Sequence, residues 1–196
     1  MSFEDNGGFE EYQAGDDFSS GGKFLNDSNP GCYHMQITGV RRPAAKANGD
    51  LINNGWAVIC CAVLAPQAAE GKTFDITLWN PKLDAKDGGA FGRKKNDRFL
   101  IAAGLIPKNS EGKKVGINWG SAVGRQFLVK LTVGEPDAKG RRYLDVDFAN
   151  FYHVDDPEAG TDYPRNASAI AMIPSQLRLT AATDQKPAKP VRAMDI

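Results

Sequence analysis

Residues 56 to 79, "WAVICCAVLAPQAAEGKTFDITLW", decide the fold class, because they hold both a possible phosphate loop and a possible pair of strands. Gly71-Lys72-Thr73 ends like a P-loop, yet the first glycine of that motif would have to stand where Pro66 is. A phosphate loop must also feed a helix whose N-terminus faces the anion. Here Phe74, Ile76 and Leu78 alternate with Asp75, Thr77 and Trp79 at the two-residue period of a strand with one buried face. The run from Trp56 to Ala65 is apolar on both faces, as a strand with neighbours on both sides would be. The segment therefore reads as two strands joined by a turn. It leaves one anomaly: Trp79, the largest apolar side chain of its strand, shares a face with an aspartate and a threonine.

The same period extends in both directions. "CYHMQITGV" (32 to 40) sets Tyr33, Met35 and Ile37 against His34, Gln36 and Thr38, a strand with one wet face on which His34 is expected at the surface. A basic loop holding Pro43, Gly49 and Gly55 follows. Beyond Trp79, a Gly- and Lys-rich stretch leads to "NDRFLIAAGLI", where Asn96 or Asp97 can cap a short helix that stops near Gly104, with Phe99, Leu100 and Ala103 facing inward. "KVGINWG" (114 to 120) allows a short strand. "RQFLVKLTV" (125 to 133) and "RRYLDVDFANFYHV" (141 to 154) are two more, joined by the hairpin loop "GEPDAKG". Three strands, a short helix between strands 3 and 4, and two further strands are the order of a mainly β, OB-like antiparallel barrel; a generic antiparallel sandwich could show the same runs.

Length and charge divide the chain. Its 196 residues suit one domain with tails, and the expected division is an acidic flexible arm over 1–29, an OB-like β domain over 30–158, and a C-terminal extension over 159–196 with a short helix and a disordered tail. The formal net charge of zero is uneven: residues 1 to 30 carry −6, residues 31 to 154 carry +7, and the remainder −1. No apolar run approaches the roughly 18 residues of a membrane span, and the acidic start has no leader-like core. The adjacent Cys60 and Cys61 would point to opposite strand faces, which speaks against a disulfide framework and for a reducing cytoplasm.

Catalytic patterns are thin. Cys32, His34, Cys60, Cys61 and His153 lack the paired spacing of a zinc site, so neither a metal nor another cofactor is expected. "GSAVG" (120 to 124) is not a nucleophile elbow, because its serine directly follows the first glycine. Asp145 and Asp147 lie two apart on a strand and could share a Mg²⁺ in a nuclease, but without a third acid they read better as a solvated face. A non-enzymatic protein is expected.

What remains is a set of cations beside aromatics. Arg41, Arg42 and Lys46 follow the first strand, Trp56 opens the second, and Lys72 opens the strand that ends in Trp79. Arg93, Lys94, Lys95 and Arg98 enter the helix; Lys113 and Lys114 precede Trp119, and Arg125 follows it; Arg141 and Arg142 precede Tyr143. Single-stranded nucleic acid calls for this mixture, with cations to displace counterions from phosphates and flat rings on which unpaired bases stack. A duplex reader would want a helix rich in Arg, Asn and Gln for the major groove, and the one clear helix is short and apolar. The blander alternative is solubilising loop cations with Trp56 and Trp119 filling the core. The acidic arm could occupy the basic groove in the absence of ligand or dock partners.

"PGCYHMQITGV", "FDITLWNP", "NDRFLIAAGL", "GKKVGINWG" and "GRRYLDVDFANFYHVDDPE", with the buried strand between the first two, resemble over residues 28 to 158 a phage-encoded family of unknown function found among replication and recombination proteins. That resemblance implies an OB-like protein that binds single-stranded DNA in the host cytoplasm, with replication or recombination proteins as partners of the acidic arm and no membrane. The competing expectation is a phage protein-interaction or structural module with no affinity for nucleic acid.

Overall fold

Period-two runs pair into a five-stranded antiparallel sheet in the computed structural model, which describes residues 24–42, 55–79, 90–108, 110 and 115–178. The strands are β1 (Gly31–Arg41), β2 (Gly55–Ala65), β3 (Thr73–Trp79), β4 (Gln126–Val133) and β5 (Leu144–His153); helix α1 (Ala90–Ala102) joins β3 to β4, and the short α2 (Ala167–Ala171) follows β5. Their order in the sheet is β3-β2-β1-β4-β5, all neighbours antiparallel. A meander of three strands whose first also carries β4 and β5 is the OB-like connectivity.

Curling comes from interruptions in the ladders. β1 shifts register against β2 between Ile37 and Gly39, and β5 makes a wide bulge, since Val129 pairs with Phe151 while Leu131 pairs with Val146. Such extra residues bend a strand and increase its twist. The result is a half-barrel, and among the described residues no ladder joins β3 to β5. Helix α1 packs against both of these edge strands.

The concave face is the core. Met35, Ile37, Ile59, Val63, Ile76, Leu78, Phe127 and Val129 point into it, all at most 1 % exposed. Phe99 of α1 stands edge-on to Phe127 and Phe151, with both ring centroids 5.4 Å away. The helix buries Asn96, Phe99, Leu100 and Ala102, and Ala103 just past its end continues the stripe of spacing three and four. It begins at Ala90, six residues before Asn96, so Asn96 is a buried mid-helix residue and not a cap. The expected stop holds: Gly104 has φ +65°, and a Cβ there would come within 3.1 Å of Arg125 Nη1.

Three further expectations change. Val115 to Asn118 form no strand and lead into a 3-10 turn, Trp119–Ser121. Phe24 forms a parallel bridge with Thr73, and Leu25 N–H donates to Thr73 O at 3.0 Å, so the end of the expected arm belongs to the sheet edge. His34 is fully buried, not a surface side chain. The chain after β5 returns over the convex side of β1 and β4, where Leu128, Val154, Ala159 and Tyr163 make a second small core.

His34 holds that returning segment. Its Nδ1 accepts the Asn166 N–H at 3.0 Å, which leaves Nε2 to donate to Gln126 Oε1 at 3.0 Å; Gln126 Nε2 in turn donates to Ala169 O at 3.0 Å. Asn166 also caps α2 through Ala169 N–H and donates to Leu64 O. Burial lowers the His34 pKa to about 4, so the ring is neutral near pH 7. His153 repeats the arrangement, accepting the Asp155 N–H and donating to Leu177 O at 3.1 Å, and burial lowers its pKa too.

The expectations for residues 1–23, the loop 43–54 with Lys46, Lys113, Lys114 and the tail from 179 lie outside the described residues. Among the described residues no helix is long and apolar enough to cross a membrane.

Candidate nucleic-acid interface

Trp79 sits where its sequence parity put it. Phe74, Ile76 and Leu78 turn toward the core, while Asp75, Thr77 and Trp79 face outward, and the indole is 42 % exposed. An exposed ring of this size on a strand is an observation that burial patterns do not explain. The backbone beneath it is fixed: Asn96 Nδ2 donates to Trp79 O at 2.9 Å, tying the end of β3 to the middle of α1. Arg93 lies one helical turn before Asn96, and both Arg93 and Lys94 are exposed. The hydrogen bond thus ties α1, whose preceding turn carries the exposed Arg93 and Lys94, to the backbone at the end of β3.

The end of β1 reaches the same corner. Arg41 pairs with Val58, and Val58 with Thr77, two residues from Trp79. Its guanidinium is held by Asp75 at 2.7 Å on the outer face, and exposed Arg42 follows. Trp56 lies next to Gly55, the partner of Trp79 in the ladder. Its ring is half-buried, however, packed edge-on against Trp119 at 5.4 Å and against the core. That pair fills the rim of the barrel, and neither ring is as open as Trp79.

Other candidate cations are engaged elsewhere. Lys95 Nζ lies 5.3 Å from the Phe148 ring centroid, and Arg98 Nη1 donates to Phe148 O at 3.4 Å, so both lean onto β5. Arg125 donates from Nε to Ser121 O at 3.1 Å and from Nη1 to Gly104 O at 3.0 Å, clipping the end of α1 to the turn before β4. Arg98 and Arg125 both line a cleft of about 630 Å³ between α1, β5 and the returning C-terminal segment. Lys72 is half-buried at the start of β3, away from Trp79.

The remaining candidates form a second group. Arg141, Arg142 and Tyr143 belong to the β4–β5 hairpin, beside the first residues of β1, and Tyr143 is 53 % exposed. The folded chain therefore splits the set into the end of β1 near Trp79 (Arg41, Arg42), the exposed cations of α1 (Arg93, Lys94) and a hairpin. Two organising residues carried no charge or ring signal of the kind sought. Asn96 was legible only as a possible cap, whereas Asp137, in "GEPDAKG", stands where an aspartate commonly binds backbone two residues on.

The paired acids of β5 are committed to its bulge. Asp147 accepts from Ala149 N–H at 3.0 Å and from Asn150 Nδ2 at 2.6 Å, and Asp145 accepts from Val146 N–H at 2.8 Å. Among the described residues no cluster of His, Cys, Asp and Glu could hold a metal ion. No protein-family model and no curated protein matches the chain.

Proposed function

We propose that the protein binds single-stranded DNA without catalysing a reaction, of the kind that phage replication or recombination uses to protect or present a strand in the host cytoplasm. The observation that carries this reading is Trp79: a large ring, open on the convex face, at a strand end whose backbone carbonyl is held by α1, the helix that also carries the exposed Arg93 and Lys94. Phosphate neutralisation supplies most of the affinity, and stacking on the indole adds about 1 to 3 kcal/mol per base. Asp75 limits how far along β3 a phosphate backbone runs, because it places a carboxylate two residues from Thr77 and holds Arg41 to itself. The acidic residues before Phe24 are the proposed contact for replication or recombination proteins.

The test is a fluorescence-anisotropy titration with oligo-dT and with duplex of equal length, at two salt concentrations, with and without Mg²⁺. Salt-sensitive binding that prefers oligo-dT supports the reading. No binding favours a protein-interaction module instead, and strand loss confined to Mg²⁺ points to a nuclease.

A further inference from the structure

One carboxylate organises the β4–β5 hairpin. Asp137 Oδ1 accepts the backbone N–H groups of Lys139 at 2.8 Å and Arg141 at 2.9 Å. Its Oδ2 takes Arg141 Nε at 3.0 Å, Arg141 Nη2 at 2.9 Å and the Tyr143 hydroxyl at 3.3 Å. The backbone closes the same loop, with Asp137 N–H donating to Arg141 O and Gly140 N–H to Asp137 O, both at 2.8 Å, and Gly140 at φ +76°. These donors, the Arg141 backbone first, hold the Asp137 carboxyl below the usual carboxylate range.

Tyr143 is consequently held at two points while remaining open. Its hydroxyl is tied to Asp137, and the Arg141 guanidinium carbon lies 5.7 Å from its ring centroid, covering one face. An exposed tyrosine ordinarily keeps its rotamer freedom and must lose it when a partner binds. Here that ordering is already done. Asp137 is also unfavourable on electrostatic grounds, one of two acids, with Glu135, in a loop that holds Lys139, Arg141 and Arg142, where phosphate contact would favour none.

We propose that Asp137 is a positioning residue that keeps Tyr143 and Arg141 as a preformed stacking platform, a second contact for single-stranded nucleic acid at the opposite end of β1 from Trp79. This rests on the reading of the protein as a single-stranded-DNA binder. The platform works by order and not by charge: a base lies on the open face of Tyr143, Arg141 backs the ring, and Arg142 meets the adjoining phosphate. Two anchors at opposite ends of β1 also imply that only an oligonucleotide long enough to span them gains from both.

The sign of one substitution decides the matter. Removing an acid from a phosphate-binding surface should tighten binding if Asp137 acts only through its charge. Oligo-dT affinity, short and long, is to be measured by anisotropy for Asp137→Ala, Tyr143→Ala, Tyr143→Phe, Trp79→Ala and the Asp137→Ala/Tyr143→Ala pair. For the long oligonucleotide Asp137→Ala should weaken binding roughly fivefold, with the salt slope unchanged because no cation is lost. The double variant should bind no more weakly than Tyr143→Ala, since the two act as one unit. Tyr143→Phe should fall between wild type and Tyr143→Ala. Equal or tighter binding by Asp137→Ala, with Trp79→Ala still impaired, overturns the platform and leaves the Trp79 interface standing. Absence of oligo-dT binding by the wild-type protein overturns both.

Discussion

The convex side of one sheet has two fates in this protein. Over β1 and β4 the chain covers itself: His34, a polar residue at an outward position, is fully buried, and the returning segment 154 to 178 packs on Leu128 with Cys32 at its edge. Over β3 the reverse holds, and Trp79, the largest apolar residue at an outward position, stays 42 % exposed. Polarity alone predicts the opposite of both. The contrast separates a surface closed by intramolecular hydrogen bonds from one that the described residues leave open.

That contrast can be broken most severely at His34. His34→Leu leaves the Gln126 carbonyl and the Asn166 N–H without their partner in a buried setting, and each such group costs about 1 to 3 kcal/mol. A urea titration should show a loss of roughly 3 to 4 kcal/mol, against under about 1 kcal/mol for Trp79→Ala. Equal losses for the two variants would erase the distinction between closed and open faces.

Acid should act on the same side. The folded pKa of His34 lies at about 4, below its ordinary 6.5, so between these values the unfolded chain takes up a proton that the folded chain refuses. The stabilisation is complete above pH 6.5 and is lost as pH falls toward 4. The loss reaches about 3 kcal/mol from His34 alone. The groups around it are Gln126, Asn166 and Arg165, the last adding to the depression. His153, beside Asp155, Asp156 and Arg178, shifts in the same direction and steepens the decline. Melting temperatures from pH 7 to pH 4 should fall in the wild-type protein and vary much less in His34→Gln; parallel curves would remove His34 as the cause.

On the open side the effects appear in binding rather than folding. Trp79→Ala should lower oligo-dT affinity by about 1 to 3 kcal/mol, roughly five- to 150-fold, and keep the Asn96 contact, which uses the Trp79 carbonyl. Asp75→Asn should do the least. It weakens an exposed ion pair worth under about 1 kcal/mol and removes a carboxylate from the path of phosphates, so oligo-dT should bind about twofold tighter at low salt. A weaker complex would mean that Arg41 must stay held to act.

Much of the scaffold was readable because strands announce themselves locally. The four runs named at 32 to 40, 56 to 65, 72 to 79 and 125 to 133 became β1 to β4 within a residue at either end, and the parity of Trp79 already placed its ring outward. The start of α1 was not readable: "GGAFGRKK" is rich in glycine, a poor helix former, yet Ala90 to Lys95 are helical. Helices of this length draw most of their stability from packing, and Phe99 and Leu100 supply it by docking on β5. Candidate cations were readable as residue types but not as partners. Arg125 and Arg98 turned out to bind backbone carbonyls, while Arg93 and Lys94 point outward.

Periodicity within a few residues was thus enough to establish a mainly β chain, its strand order along the sequence and the odd placement of Trp79, because side-chain direction in a strand follows from backbone geometry alone. Which outward positions are covered, and how α1 is tied to β3, depended on contacts between residues far apart, such as His34 with Asn166 and the Trp79 carbonyl with Asn96. No local pattern encodes these. They exist only once the sheet has curled, α1 has crossed from β3 to β5, and the segment after β5 has folded back onto β1.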